Sequence, residues 1–158
     1  MSQLGSVCSS WEELKKKLEP LRSSNKIVFT NGCFDLLHIG HVRYLNEARA
    51  LGDILVVGLN TDASVQKLKG PSRPIQNEKD RAEILANLKS VNFTALFNED
   101  TPEELIKVVR PDYLVKGGDW KPEQIAGSTF VQSYGGKVMS LQFVDGKSTT
   151  NIVSKINS

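Results

Sequence analysis

A chain of 158 residues, 39% hydrophobic and 24% charged, can bury one real core and has the composition of an ordinary globular protein. A net charge of +2, with no basic stretch interleaved with aromatics, argues against nucleic acid or an anionic membrane as partner. The apolar runs are strand-sized, MSQLGSVCSSWEELKKK has no apolar secretory core, and the distant Cys8 and Cys33 make no disulfide framework, so a cytoplasmic location is expected.

Residues 9–22 predict a helix. Ser10 and Glu13 fit a capping box, and Trp11, Leu14, Leu18 and Leu21 recur at helical spacing. Pro20 ends it, and Ser23-Ser24-Asn25 is a turn. Segment 1–25 therefore reads as a helical extension, for packing rather than chemistry, of a single domain spanning 1–158.

Strand 26–31 leads into TNGCFDLLHIGH at 30–41. A helix follows from about residue 40 to 51, with Val42, Leu45 and Ala48 inward and Gly52 as its C-cap. Gly32 and Gly40 lack Cβ atoms, so a ligand can approach the backbone there. Free N–H groups and the dipole of the helix start favour an anion such as phosphate. His38 and His41, the only histidines in the chain, are three apart and share a helical face. The plainer alternative is a cap or a surface pair. H-x-G-H directly behind a strand and a Gly turn favours the phosphate site.

Residues 54–59 are apolar throughout, as in a parallel strand buried on both faces, and 62–68 form the next helix. Strand, helix and strand with short links make a right-handed βαβ unit. Stretch 69–77, KGPSRPIQN, is irregular and can lie over the strand ends. Lys69 and Arg73 are its chemically interesting members, with solvated loop charges as the alternative. Helix 78–89 turns Ile84, Leu85 and Leu88 inward. It carries Arg81 near its start, where a cation opposes the dipole, a flag for function.

Strand 92–97 comes next, and then a helix capped by Thr101, with Pro102 in its first position, that stops at Pro111. Strand 113–115 runs straight into Lys116-Gly117-Gly118-Asp119-Trp120, where a Gly pair lets the backbone hug a flat ligand or simply turn. Residues 122–134 form a weakly amphipathic helix, and 137–143 the last strand. Ser148, Thr149 and Thr150 then sit at a helix start. One hydroxyl suffices for a cap, so three offer contacts to a triphosphate; plain capping is the alternative. The fold class is α/β, a Rossmann-like domain with a five-stranded, mainly parallel sheet and helices on both faces. All three loops follow carboxyl ends of strands and can converge on one crevice.

TNGCFDLLHIGH resembles the signature of the nucleotidyltransferase superfamily that holds the cytidylyltransferases and several adenylyltransferases. With LKGPSRP, VKGGDWKPEQIAGS and DGKSTTNI, the chain from 26 to 156 is similar to the heptose 1-phosphate adenylyltransferases of lipopolysaccharide precursor synthesis. Cytidylyltransferases usually carry Arg-Thr-Glu-Gly-Ile-Ser-Thr-Thr near the end. Here Phe143 holds the Arg position and Val144-Asp145-Gly146-Lys147 follow, which counts against CTP.

The resemblance implies transfer of AMP from ATP, with Mg²⁺, to D-glycero-β-D-manno-heptose 1-phosphate, giving ADP-heptose and pyrophosphate. It implies a homodimer or larger homo-oligomer and a free-standing form whose sugar phosphate comes from a separate kinase. It assigns catalysis to His38, His41 and Lys69, and the substrate phosphate to Lys69, Arg73 and Arg81. The nucleotide falls to Thr30, Asn31, Gly32, Cys33, Phe34, His38, Gly40 and His41, then to Lys116, Gly118, Asp119 and Trp120, and to Ser148, Thr149 and Thr150. It assigns no protein ligand to the metal, although Asp35, a support of the first loop, could act on it through water. The alternatives are a CTP-dependent glycerol-3-phosphate-type cytidylyltransferase and a nucleotide-binding module without catalysis. A Rossmann oxidoreductase is disfavoured, because no G-x-G-x-x-G follows the first strand.

Overall fold

Alternation along two neighbouring strands builds the two halves of the core. Ile27, Phe29, Ile54 and Val56 face one side of a sheet, whereas Val28, Leu55, Val57 and Leu59 face the other, as the two-residue period of a strand requires. All are essentially inaccessible, and each such side chain contributes about 1.5–3 kcal/mol by leaving water.

The computed structural model describes residues 4–158. Its strands are Ser6–Cys8 (β1), Ile27–Gly32 (β2), Ile54–Asn60 (β3), Phe93–Phe97 (β4), Tyr113–Gly117 (β5) and Lys137–Leu141 (β6). They form one parallel sheet in the order β1-β4-β3-β2-β5-β6. The helices are Trp11–Leu18 (α1), Ile39–Ala50 (α2), Asp62–Lys69 (α3), Glu78–Ala86 (α4), Glu103–Val109 (α5), Ser128–Ser133 (α6) and Thr149–Ile156 (α7). Leu14, Leu18, Leu105, Ile106 and Val131 of α1, α5 and α6 cover one face; Leu45, Ala48, Ala82 and Leu85 of α2 and α4 cover the other. Among the described residues no helix is long and apolar enough to cross a membrane.

The chain proceeds from β2 through β3 to β4 on one side of β2, then returns to place β5 and β6 on the other. That reversal opens a crevice beyond the carboxyl ends of β2 and β5, where open α/β sheets bind ligands.

The sheet has six strands where the sequence suggested five. The sixth is β1, inside the segment read as a helical extension; its residues 1–3 lie outside the described residues. Ser6 pairs with Phe93 and Cys8 with Ala95, so this segment extends the sheet beyond β4. Three residues are too few for a periodicity to register. Lys69 closes α3 instead of opening a loop. Ile84 is 39% exposed, not inward, because α4 turns Arg81, Ala82, Leu85 and Ala86 to the interior. Leu51, not Gly52, caps α2, and Pro102, not Thr101, precedes the first turn of α5. Residues 122–134 are no continuous helix: a 3-10 turn at Pro122–Gln124 is separated from α6 by a left-handed Gly127, φ 84°. The last strand stops at Leu141 and leaves Phe143 60% exposed.

Candidate active site

Past the end of β2 the backbone bends through Phe34, which holds φ at 46°. A bulky side chain in the left-handed region costs about 1–3 kcal/mol and persists only when its surroundings fix it. The Phe34 ring is buried, with its centroid 5.2 Å from that of His41. The next residue, Asp35, is fully buried. Its carboxylate accepts from the N–H of Ile75 (2.8 Å), the N–H of Gln76 (2.9 Å) and Nε of Arg73 (2.7 Å). Burial pushes this carboxyl up, but the Gln76 and Ile75 N–H groups and Arg73 together outweigh it and hold the pKa below the ordinary 3.8. Asp35 thus fastens the 70–77 loop to the loop after β2.

The two histidines cap α2 reciprocally. Gly40 N–H donates to His38 Nδ1 (3.1 Å), and His38 N–H donates to His41 Nδ1 (3.3 Å). The rings stack with centroids 3.8 Å apart and planes 28° from parallel. A Cβ on residue 40 would lie 2.8 Å from His38 Cε1, so glycine alone admits this arrangement. Since each Nδ1 accepts, each neutral ring carries its proton on Nε2. Burial, then the neighbouring His38, lowers His41 to about 4; burial, then Lys147, lowers His38. At neutral pH the pair is therefore two uncharged N–H donors at a helix N-terminus.

Arg81 is 1% exposed and ties three segments together. It donates to the carbonyls of Gln76 (2.9 Å), Cys33 (2.7 Å) and Asn60 (2.9 Å), and pairs with Asp62 (2.8 Å). Four of its five N–H groups are thus engaged within the protein, and its placement is that of a brace beneath the loop rather than a free phosphate ligand. Arg73 keeps its Nε on Asp35, with a side chain 11% exposed. Lys69 is exposed and has no carboxylate partner among the described residues. The charges of Lys69, Arg81 and Arg73 all act on Cys33, whose thiol burial pushes up and these cations pull down.

The loop after β5 meets the same place. Gly118 holds φ at 110° and donates to Leu141 O (2.9 Å). Trp120 Nε1 donates to Gly117 O (3.1 Å), with Lys116 Nζ 5.4 Å from its ring centroid. Burial lowers the Lys116 pKa, and nearby Cys33 opposes that. Asp119 and Trp120 are exposed at the rim. The Phe143 ring packs so closely over Gly117 that a Cβ there would come within 2.6 Å of it, and Tyr44 flanks it at 6.2 Å.

Side-chain bonding narrows other assignments. The Thr30 hydroxyl is buried on Tyr44 Oη (2.6 Å) and the whole residue is inaccessible in the sheet, so Thr30 supports the site from beneath instead of lining the nucleotide, while Asn31, Gly32 and Cys33 are half-buried. Ser148 Oγ accepts the Asn151 N–H (3.0 Å) as the cap of α7. Thr149 Oγ1 donates to Leu36 O (2.9 Å), joining α7 to the histidine loop. Thr150 is exposed. Plain capping thus accounts for Ser148, docking for Thr149, and neither for Thr150. Asp62 and Asn60 had no place in the sequence reading of the site. An acid able to balance Arg81 at the adjoining strand end was the available signal for Asp62.

A groove of about 830 Å³ lies elsewhere, among Trp11, Lys15, Arg22, Glu104, Arg110 and Tyr134. Arg22 there binds the carbonyls of Val109 and Arg110, and Lys107 pairs with Glu104. Its charges serve the helix ends.

A family model described as cytidylyltransferase-like matches residues 29–154. The chain is 58% identical over 146 residues to the bifunctional protein HldE of Syntrophotalea carbinolica, covering 92% of this chain and 30% of that protein. It spans under a third of the length of the curated relatives it matches. A lipopolysaccharide core biosynthesis protein from Thermoplasma volcanium superposes with a TM-score of 0.64 at 28% identity, over 78% of this chain and all of that one. A pantoate-beta-alanine ligase from Francisella tularensis superposes at 0.62 over 97% of this chain and 77% of that one; at 14% identity it shares the fold alone.

Proposed function

The chain is a nucleotidyltransferase of the cytidylyltransferase-like family, and on that premise we propose that it transfers AMP from ATP to a heptose 1-phosphate, D-glycero-β-D-manno-heptose 1-phosphate. The observation that carries this reading is the reciprocal His38–His41 cap at the mouth of the β2–β5 crevice. Two fixed Nε2–H donors at the positive end of the α2 dipole suit a run of phosphates. By resemblance Phe143 holds the position of the cytidylyltransferase arginine, and its apolar ring, which lies over Gly117, supports ATP over CTP in this reading.

A sugar phosphate already bears a negative oxygen and needs no base. That oxygen attacks the α-phosphorus in line. The new P–O bond forms as the bond to the bridging oxygen breaks, and pyrophosphate leaves with its electron pair. The protein's part is positioning and charge stabilisation. His38 and His41 donate to the phosphates of the leaving pyrophosphate, and Lys69, a point charge on a flexible stem, meets the α-phosphate. Mg²⁺ fits here as part of the substrate, MgATP. Both oxygens of Asp35 are occupied by N–H donors.

The test is pyrophosphate release with ATP or CTP against a panel of sugar 1-phosphates and glycerol 3-phosphate. ATP with the heptose 1-phosphate should be preferred over CTP by about tenfold or more, 1.4 kcal/mol. Equal specificity constants for ATP and CTP would sink the adenylyl assignment. ATP binding without turnover would identify a binding module.

A further inference from the structure

The turn between β6 and α7 sets Lys147 against the histidine loop. Its N–H donates to Val144 O (3.3 Å), closing the turn, and its Cβ lies 3.4 Å from where a Cβ on Gly40 would stand. Two residues on, Thr149 fixes the turn to Leu36 O. The stem of Lys147 therefore begins over the first turn of α2, beside His38. Its side chain is exposed and pairs with no carboxylate among the described residues.

Charge accounting gives this position a purpose. The imidazole pair is uncharged at neutral pH, since burial holds both rings below their ordinary value. Arg81 is engaged with Asp62 and three carbonyls, and Arg73 with Asp35. Among the described residues Lys69, Lys116 and Lys147 pair with no carboxylate, and of these three Lys147 stands beside His38. A triphosphate laid across the two Nε2–H donors brings several negative charges that neutral donors do not balance.

Resting on the nucleotidyltransferase reading, we propose that Lys147 is a further triphosphate-binding residue, closing on the outer phosphates from the β6–α7 side while His38 donates to them from α2. A lysine suits this place because its ammonium is a point charge on a flexible stem, able to follow phosphates that arrive and leave.

The experiment compares the wild type with Lys147→Ala and Lys147→Arg. Calorimetry measures ATP and AMP binding, and NMR titration follows the His38 ring in the ligand-free protein. The groups facing His38 are His41 from its own helix and Lys147 from the turn. In Lys147→Ala, ATP should bind about tenfold more weakly, a loss of 1.4 kcal/mol. AMP, which lacks the outer phosphates, should bind unchanged, and His38 should titrate at higher pH. Lys147→Arg should keep most of the ATP affinity. Unchanged ATP affinity in Lys147→Ala, or equal weakening of ATP and AMP, overturns the proposal while leaving the family reading intact. A wild type that binds no ATP overturns both this proposal and the adenylyl assignment, and leaves the family membership standing.

Discussion

The loop over residues 33–41 is gripped from beneath by Arg81, from the side by Asp35 and its N–H donors, and within itself by the stacked rings of His38 and His41 with the Phe34 ring tilted against them. The loop over 142–148 meets the same crevice with an exposed Phe143 and an exposed Lys147, moored to its neighbour by Thr149. Both join a parallel strand to a helix. The first is organised before any ligand arrives, whereas the second has groups that can adjust around one. Preorganised donors belong where charge develops during reaction, and adjustable ones where substrate must enter and product depart.

That contrast breaks most visibly at Arg81. Arg81→Met leaves Asp62 unpaired and removes the donors from the carbonyls of Cys33, Asn60 and Gln76. Unfolding by urea should show a loss of about 3–5 kcal/mol. An unchanged midpoint would mean the guanidinium does not organise the loop. His41→Ala strikes the rigid loop's chemistry. Turnover should fall by about a hundredfold or more, roughly 2.7–4 kcal/mol of transition-state stabilisation, with near-native circular dichroism; near-normal turnover would reject its role.

Asp35→Asn should cost about 2–3 kcal/mol at pH 7, because charge-assisted hydrogen bonds from three donor groups are weakened or lost. The folded pKa of Asp35 lies below its ordinary 3.8, so its contribution is complete above about pH 4 and drains as pH falls through the folded value. The stability gap between wild type and variant should therefore close in strong acid; a gap independent of pH would contradict the charged role. Lys69→Ala should slow single-turnover transfer by about ten- to a hundredfold while changing the ATP dissociation constant only a few fold. Lys69→Arg should restore little, and unaltered transfer in the alanine variant would return Lys69 to the solvated surface. The smallest effect belongs to the adjustable loop. Ser148→Ala removes the cap of α7 and should cost about 1 kcal/mol of stability. A large loss of turnover there would make this loop as rigid a part of the catalyst as the first.

Much of this was legible in local pattern. The buried run at 54–60, the Gly turn before H-x-G-H and the alternation of strands with helices all involve neighbours in sequence, and the strand-end crevice follows from them. The roles of particular side chains were less so, because their partners are distant. Arg81 stood out for opposing a helix dipole, but its place is explained by Cys33, 48 residues earlier, and by Asn60 and Asp62. Thr149 looked like a spare hydroxyl until the carbonyl of Leu36, 113 residues away, accepted its hydrogen bond. Lys147 is a plain lysine in a turn until the fold lays it over Gly40.

The placement of β1 bears on how the chain reaches this state. Ser6 pairs with Phe93, 87 residues later, and with nothing nearer in the sheet. At roughly 5–20 residues per second of synthesis, β1 waits about 4–17 s for its partner to be made. Until then Val7 has no sheet edge to lie along. Closing so long a loop is entropically costly, so β1 should dock late, after β2, β3 and β4 have assembled. Amide hydrogen exchange during refolding should protect Val56 and Val57 well before Val7.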